Sequence, residues 1–306
     1  MTDLAIFFEH PLWFKPLFAA LDARGFDWKA IRIEDHVFDP AEQSAPAPVI
    51  FNRLAMSSLS RQAEHGLFHC LAAFDHWDGA GARVINGARP LAYDLSKARQ
   101  LSLFRRAGLD TPRTRVAHRR EDVPRLAEEI GYPVMVKANV GGSGAGIIRY
   151  DRRDELVEAT ADGLTPMGVD GVVLVQEYVP ARDDRVIRCE ILDGAFLYAI
   201  ALEGVGATFD LCPADVCLAE KPTIAVTAFH PPAELIDAVL RVGAMTGLDV
   251  GGMEYMVDDR DGQVKFYDFN AMSNFVGKPL EILGFDPHDN LLDFIEREIA
   301  RAEVSG

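Results

Sequence analysis

The sequence predicts an α/β protein at its N-terminus that becomes α+β further along, and three observations carry that prediction. Over about the first ninety residues, short apolar runs alternate with segments of helical spacing, the pattern of a parallel sheet with crossover helices. Further on, two pairs of apolar runs flank Asp193-Gly194 and Asp261-Gly262, turn dipeptides that favour antiparallel hairpins. The 306 residues are 49% hydrophobic and 25% charged, enough apolar material for two or three compact units at roughly 100–200 residues each.

Each element has its own signal. Leu4 to Phe8 reads as a buried strand, residues 11–25 carry Leu12, Leu17, Phe18 and Leu21 at helical spacing, and Trp28 to Ile33 resumes a strand. The Ala/Pro stretch 40–48 is a loop, Val49 to Phe51 a third strand, 59–74 a helix, and Arg83 to Ile85 a strand ending at the turn pair Asn86-Gly87. From Tyr93 the character changes. A helix over 96–107 stops at Gly108, and Asp122 is placed to cap a helix that runs to Ile130 and closes at Gly131. A strand at 133–136, a glycine-rich loop, a strand at 147–150, a helix at 154–160 and a buried strand at 172–179 follow. The hairpin 187–192/195–202, an amphipathic helix 234–245, the hairpin 252–257/264–269 and a helix 289–301 complete the chain. The reading divides into an N-terminal α/β unit 1–92, a lobe 93–180 with the glycine-rich loop, and a C-terminal lobe 181–306.

Charge narrows the partners. Lys plus Arg number 31 against 47 Asp plus Glu, and the formal charge of 31 − 47 = −16 repels a phosphate backbone or an anionic membrane over most of the surface. No run approaches the roughly 18 apolar residues of a membrane span, and residues 1–10 lack the basic region of a secretory signal, so a cytoplasmic protein is expected. Four cysteines are too few for a disulfide scaffold at this length. Nothing in the sequence fixes the oligomeric state, and a homo-oligomer stays open.

Three segments carry chemistry. After Lys137 come Gly141, Gly142, Ser143, Gly144 and Gly146 within six positions, where backbone N–H groups can approach phosphate oxygens and a lysine adds a point charge. A Walker A loop would need Lys-Ser/Thr after its last glycine, but Ile147 follows Gly146; a dinucleotide fingerprint would open a helix, but 147–150 reads as a strand. A hairpin flap able to fold over a triphosphate remains, alongside a plain mobile hairpin. Second, Asp268 and Asn270 project to one side of their strand with Glu254 on its neighbour, three hard oxygen donors suited to Mg²⁺, or to an ordinary solvated acidic face. Third, the strand through Gln176, Glu177, Tyr178 and Val179 can offer backbone groups and a carboxylate to an adenine edge.

The ordered set of Lys97 after Tyr93-Asp94, Lys137 before the glycine flap, Gln176 to Val179, Arg188, Glu254 and Asp268-x-Asn270 resembles the ATP-grasp superfamily. It is most similar to carboxylate–amine ligases of the RimK-like type, related to ribosomal protein S6 glutamate ligase. The resemblance covers about residues 83–275 and implies an ATP-grasp fold with an N-terminal Rossmann-like, pre-ATP-grasp unit. It implies that Lys97 and Lys137 hold ATP phosphates under the flap of Gly141, Gly142, Ser143, Gly144 and Gly146. Glu177, Tyr178 and Val179 then meet adenine, Asp184 falls near the ribose, and Arg188 faces the transferred phosphoryl group. Glu254, Asp268 and Asn270 hold Mg²⁺, with Mn²⁺ as a substitute. Arg188 and Lys137 take the catalytic roles, and the partners are a small carboxylate and an amine, the latter an amino acid or peptide, with no nucleic acid and no membrane.

Departures from that pattern are informative. The family commonly has Asp where Glu254 stands and Glu where Asp268 stands; the summed reach is unchanged. After Asn270 it often continues with small residues and a Pro-Gly turn, whereas this chain has Ala271 to Phe275. The implied reaction is ATP-dependent ligation through an acyl phosphate; a kinase of this fold acting on a small alcohol, or an ATP-binding sensor without turnover, are the rivals. No His-Arg-Asp or Asp-Phe-Gly of a protein kinase is present. His65 and His69 share a helix face at a spacing that can bind zinc, but no Glu follows His65 as in a metalloprotease helix and the stretch lies away from the other motifs; Cys212 and Cys217 bracket Asp215 with a four-residue spacer and no second pair. His10 and Arg53 end predicted parallel strands, where open α/β sheets bind ligands.

Overall fold

A computed structural model describes residues 2–10, 12–60, 66–142, 144, 146–204 and 224–305. The Cys212 to Cys217 loop, Ser143 and His65 lie outside these residues.

The N-terminal sheet is fully parallel, with strands β1 Leu4–Phe8, β2 Trp28–Arg32, β3 Val49–Arg53 and β4 Arg83–Ile85 in the order β2-β1-β3-β4. Strand alternation accounts for the unbroken apolar run of β1. Leu4 and Ile6 face Leu17 and Leu21 of α1 (Lys15–Arg24) and Leu291 and Ile295 of the last helix, whereas Ala5 and Phe7 face Cys70, Phe74 and Trp77 of α2 (Gly66–Gly79). Both faces are covered, as helices on either side of a parallel sheet require.

Two boundaries differ from the sequence reading. The helix expected over 59–74 is a 3-10 turn at Met56–Ser60 and then α2, which runs on to Gly79 because Trp77 continues its buried face. A short helix, α3 Ala88–Asp94, stands where none was expected; Pro90 in its first turn has no N–H to lose there. It leads into α4 (Lys97–Arg106), whose N-cap Ser96 accepts a hydrogen bond from the Arg99 N–H at 3.3 Å.

The second sheet, ordered β5-β8-β6-β7, is antiparallel: β5 Thr114–Ala117, β6 Val134–Ala138, β7 Ile147–Tyr150 and β8 Val173–Glu177. Val134, Val136, Val173 and Val175 pack on α5 (Val123–Ile130) and on Leu156 of α6 (Arg153–Ala161). Asp122 does not cap α5. The 3-10 turn before it already holds Asp122 at φ −77°, ψ −20°, so its carboxylate turns to Arg119 and Arg125 instead. The loop between β6 and β7 touches the N-terminal unit: a Cβ on Gly142 would sit 2.7 Å from the Ser57 backbone nitrogen, so only glycine fits.

The third sheet, ordered β11-β10-β9-β12-β13, contains β9 Ala181–Leu192, β10 Ala195–Glu203, β11 Ala225–Phe229, β12 Val250–Asp258 and β13 Val264–Asn270. Asp193 and Gly194 join β9 to β10 with φ of 52° and 71°, the left-handed pair of a tight hairpin. One face packs on α7 (Ala233–Thr246): Ile187, Cys189, Ile191, Met253, Tyr255, Phe266 and Phe269 meet Val239 and Val242. Phe266 and Phe269 are three apart, which strict alternation forbids. A register shift opposite Glu254 and Tyr255 makes Tyr267 the extra residue, and both phenylalanines stay in the core. α8 (Pro279–Ile282) and α9 (Pro287–Ser305) return to the first sheet, where Arg83 joins Asp249 and Glu298.

Candidate functional site

Two rungs across the third sheet organise the polar face opposite α7. Arg188 on β9, Glu254 on β12 and Asp268 on β13 are register partners in one rung, and Glu190, Gly252 and Asn270 in the next. Directly opposed residues share a face, so the alternation that buries Ile187, Cys189 and Ile191 turns Arg188 and Glu190 the other way. Arg188 Nε donates to Glu190 Oε1 at 2.6 Å and Nη1 to Glu254 Oε1 at 3.1 Å. Gly252 makes this rung feasible, because a Cβ there would stand 2.9 Å from Glu190 Oε1. The Tyr267 hydroxyl, brought round by the register shift, donates to Glu254 Oε2 at 2.8 Å. Asn270 Nδ2 donates to Asp268 Oδ2 at 3.2 Å.

Two lysines face this cluster from other elements. Lys97 opens α4 and its Nζ lies 3.4 Å from Asp268 Oδ1. Lys137 lies on β6, on the face away from α5, with Nζ 5.9 Å from the centre of the Tyr267 ring. Burial pushes the Lys137 ammonium down to about 8, the neighbouring Lys97 charge adds to the shift, and Asp268 and Glu254 oppose it. Burial beside Asp268 pushes Glu254 up to about 7, against the pull of Arg188 and the Tyr267 hydroxyl. Asn139 fixes the spacing of the lysines. Its Oδ1 accepts from the Ala98 N–H at 2.9 Å and the Ser96 hydroxyl at 3.1 Å, and its carbonyl accepts from the Lys97 N–H at 3.2 Å. The helix that carries Lys97 is therefore tied to the strand that carries Lys137.

The remaining sequence-derived residues divide. Gly141 and Gly142 follow Asn139 closely, and Gly144 and Gly146 precede β7; Ser143 falls outside the described residues. Glu177 ends β8 with its carboxylate held by the Arg113 N–H at 2.8 Å, Arg113 Nε at 3.2 Å and Arg260 Nη2 at 3.3 Å. The Tyr178 ring lies under the Arg149 guanidinium at 4.0 Å, its N–H donates to the Pro133 carbonyl, and Val179 is buried beyond it. Asp184 is exposed at the start of β9 with φ 52°, and no described contact joins it to the cluster. His69 pairs with His36, ring nitrogens 3.0 Å apart.

Glu190, Tyr267 and Asn139 were not anticipated. For Asn139 a signal existed, since it stands between Lys137 and the first flap glycine, whereas Tyr267 depends on a register shift with no local signature.

The arrangement sets a glycine-rich hairpin loop and two lysines beside a cluster of charged residues on an antiparallel sheet. Known proteins match this chain in sequence and in fold. Residues 94–209 match the RimK-like ATP-grasp domain. A probable alpha-L-glutamate ligase of Citrobacter koseri is 26% identical over 231 residues, covering 75% of this chain and 73% of that protein. The ribosomal protein bS6–L-glutamate ligase of Escherichia fergusonii is 30% identical over 134 residues, 44% of each chain. Among solved structures, the ATP-grasp ligase PsnB complexed with a minimal precursor superposes with a TM-score of 0.68 at 21% identity over 97% of this chain and all of that one. The D-alanine–D-alanine ligase from Bacillus anthracis superposes with a TM-score of 0.71 at 18% identity over 100% of both chains. This protein has the ATP-grasp fold, and its residues 94–209 are similar to the RimK-like ATP-grasp domain. Among the described residues no helix is long and apolar enough to cross a membrane.

Proposed function

We propose that this chain is an ATP-dependent ligase that activates a small carboxylate as an acyl phosphate and passes it to an amine. The observation that carries the reading is the rung of Arg188, Glu254 and Asp268 facing Lys97 and Lys137, three cations and two carboxylates converging where a transferring phosphoryl group would need them. The names of its relatives, glutamate ligases, agree with that reading. In the first step a carboxylate oxygen attacks the γ-phosphorus of ATP and ADP leaves; in the second the amine attacks the acyl carbon, inorganic phosphate leaves, and the amine gives up a proton. Lys97, Lys137 and Arg188 neutralise charge on the transferred group, and no nucleophilic side chain is required. Glu177, Tyr178 and Val179 line the adenine side, and the flap from Gly141 to Gly146 covers the phosphates. Asp184 is the ribose carboxylate only if β9 bends at its two left-handed residues to bring it in.

The carboxylates suit a divalent cation. Glu254 and Asp268 are opposed across two strands, crowded enough that Glu254 holds its proton more tightly, and Asn270, whose Nδ2 donates to Asp268, would add a neutral oxygen once its amide turns over. Glu254, Asp268 and Asn270 would hold Mg²⁺, or Mn²⁺ on the same hard oxygens, and the ion would supply neutralisation and orientation of phosphate oxygens. The amine partner is an amino acid or peptide, in line with relatives named for glutamate and a neighbour solved with a precursor. The acidic surface disfavours nucleic acid and anionic membranes, which leaves the cytoplasm as the setting. A division into units 1–92, 93–180 and 181–306 accords with three separate sheets.

Purified protein with Mg-ATP, a carboxylate panel and hydroxylamine tests the reading. ADP should appear together with a hydroxamate trapped from the acyl phosphate. ADP formation with alcohols but no hydroxamate would make it a kinase, and no acceptor-dependent ADP would make it a sensor.

A further inference from the structure

Arg53 stands where the parallel sheet meets the polar face of the third sheet. It ends β3, and open parallel sheets take ligands in the crevice beyond the carboxyl ends of their strands. Its side chain is 3% exposed and lies between Phe14 and Phe51, with each ring centre 5.0 Å from the guanidinium carbon. Nη2 donates to the Ser273 carbonyl at 2.6 Å and to Asn274 Oδ1 at 2.9 Å. Nε and Nη1, equally buried, have no hydrogen-bond partner among the described residues. Burial pushes the guanidinium down to about 9, opposed by the charge of Glu190. A buried cation with idle donors is costly, and aromatic faces offset only part of the cost.

Glu190 carries the complementary deficit. It is 1% exposed, its Oε1 is taken by Arg188, and its Oε2 has no partner among the described residues. Although the Glu190 charge acts on Arg53, the two form no ion pair among the described residues. Idle donors therefore stand near an idle acceptor, one residue from the rung that faces the phosphoryl group. The segment that aims Arg53, Ser273 and Asn274, follows directly after Asn270, in the stretch where this chain departs from the small residues and Pro-Gly turn of the resembled family.

We infer that Arg53 is a specificity-determining residue whose unpartnered N–H groups receive a substrate carboxylate other than the one activated, while Glu190 Oε2 accepts an N–H of the same molecule. The inference rests on the ligase reading for the identity of the reaction, but the binding it describes needs no turnover. Such a site favours a free acid over its ester, because the ester leaves a buried cation uncompensated.

The test is calorimetric titration of the full chain, saturated with Mg²⁺ and a non-hydrolysable ATP analogue. The probes are a panel of amino acids and dicarboxylates, each as free acid and as methyl ester. The wild-type protein should bind at least one free acid about 30-fold more tightly than its ester. Arg53→Gln should lose about 100-fold in affinity for that acid, keep the ester within about twofold, and leave the ATP analogue unaffected. Arg53→Lys, which keeps the charge, should fall between them. Equal binding of acid and ester by the wild type, no binding of any free acid, retention of the preference in Arg53→Gln, or an undiminished preference in Arg53→Lys overturns the inference. If Arg53→Gln does not fold, the wild-type comparison and Arg53→Lys decide. Failure of acceptor-dependent ADP release would instead overturn the ligase reading, with the free-acid preference still deciding the role of Arg53.

Discussion

The first and third sheets solve opposite problems with the same element. The parallel sheet is covered by helices on both faces, so β1 is apolar at every position and polar residues of this sheet reach the cleft from strand ends, as Arg53 does. The antiparallel sheet packs on α7 with an apolar face, but its other face is mixed: Tyr198 and Ile200 on β10 join the core beneath the first sheet, and beside them the alternation sets Arg188, Glu190, Glu254, Asp268 and Asn270 side by side. A sheet buried twice contributes stability and a few residues at its rim. One whose second face mixes apolar and charged residues contributes rungs on which chemistry can be laid out.

Substitutions that separate these roles test the contrast. The largest effect is expected in the twice-buried sheet: Phe7→Ala, at a side chain with no exposure between Phe74, Trp77 and His36, should cost about 3–5 kcal/mol in chemical denaturation. Turnover per folded molecule should stay at the wild-type value. Asp268→Asn on the mixed face of the antiparallel sheet should do the reverse, lowering kcat by about 100-fold to 1000-fold in the ADP assay with little change in melting temperature. If Asp268→Asn keeps normal turnover, the metal assignment falls. Lys137→Ala should weaken ATP binding by about 10-fold to 100-fold in a fluorescent-nucleotide titration, since it removes one of two ammonium groups facing the carboxylates.

The smallest effect concerns pH. Burial, helped by His69, pushes His36 from 6.5 down to about 4. A base whose folded pKa is depressed takes up its proton more readily when unfolded, so its contribution is fully present above 6.5 and is lost as pH falls toward 4. Denaturation midpoints should drop shallowly across that window, and His36→Phe should flatten the drop.

What the sequence disclosed follows the range of the interactions. The strand–flap–strand segment and both hairpins were legible because their signals are local: an Ile147 that excludes a Walker loop, a pair of turn residues with positive φ. Lys97, Lys137, Arg188, Glu254, Asp268 and Asn270 could be named together; the structure sets the last four on one sheet face, with Lys97 beside Asp268 and Lys137 beside Tyr267, while Asp184 stays outside the cluster. Glu190, Asn139 and Tyr267 were not legible. Glu190 matters because Gly252 yields it space across a strand, and Tyr267 because one extra residue turns it toward Glu254. Asp122 shows a local rule outcompeted, since a preceding turn had already set its backbone.

The approach of Gly142 to the Ser57 backbone has a mechanical meaning. The glycine-rich loop rests against the turn that leads away from β3, the strand ending in Arg53, so the second lobe and the rim of the parallel sheet share one bearing surface. A single methyl group at position 142 would act as a wedge between them without touching any residue of the charged rungs.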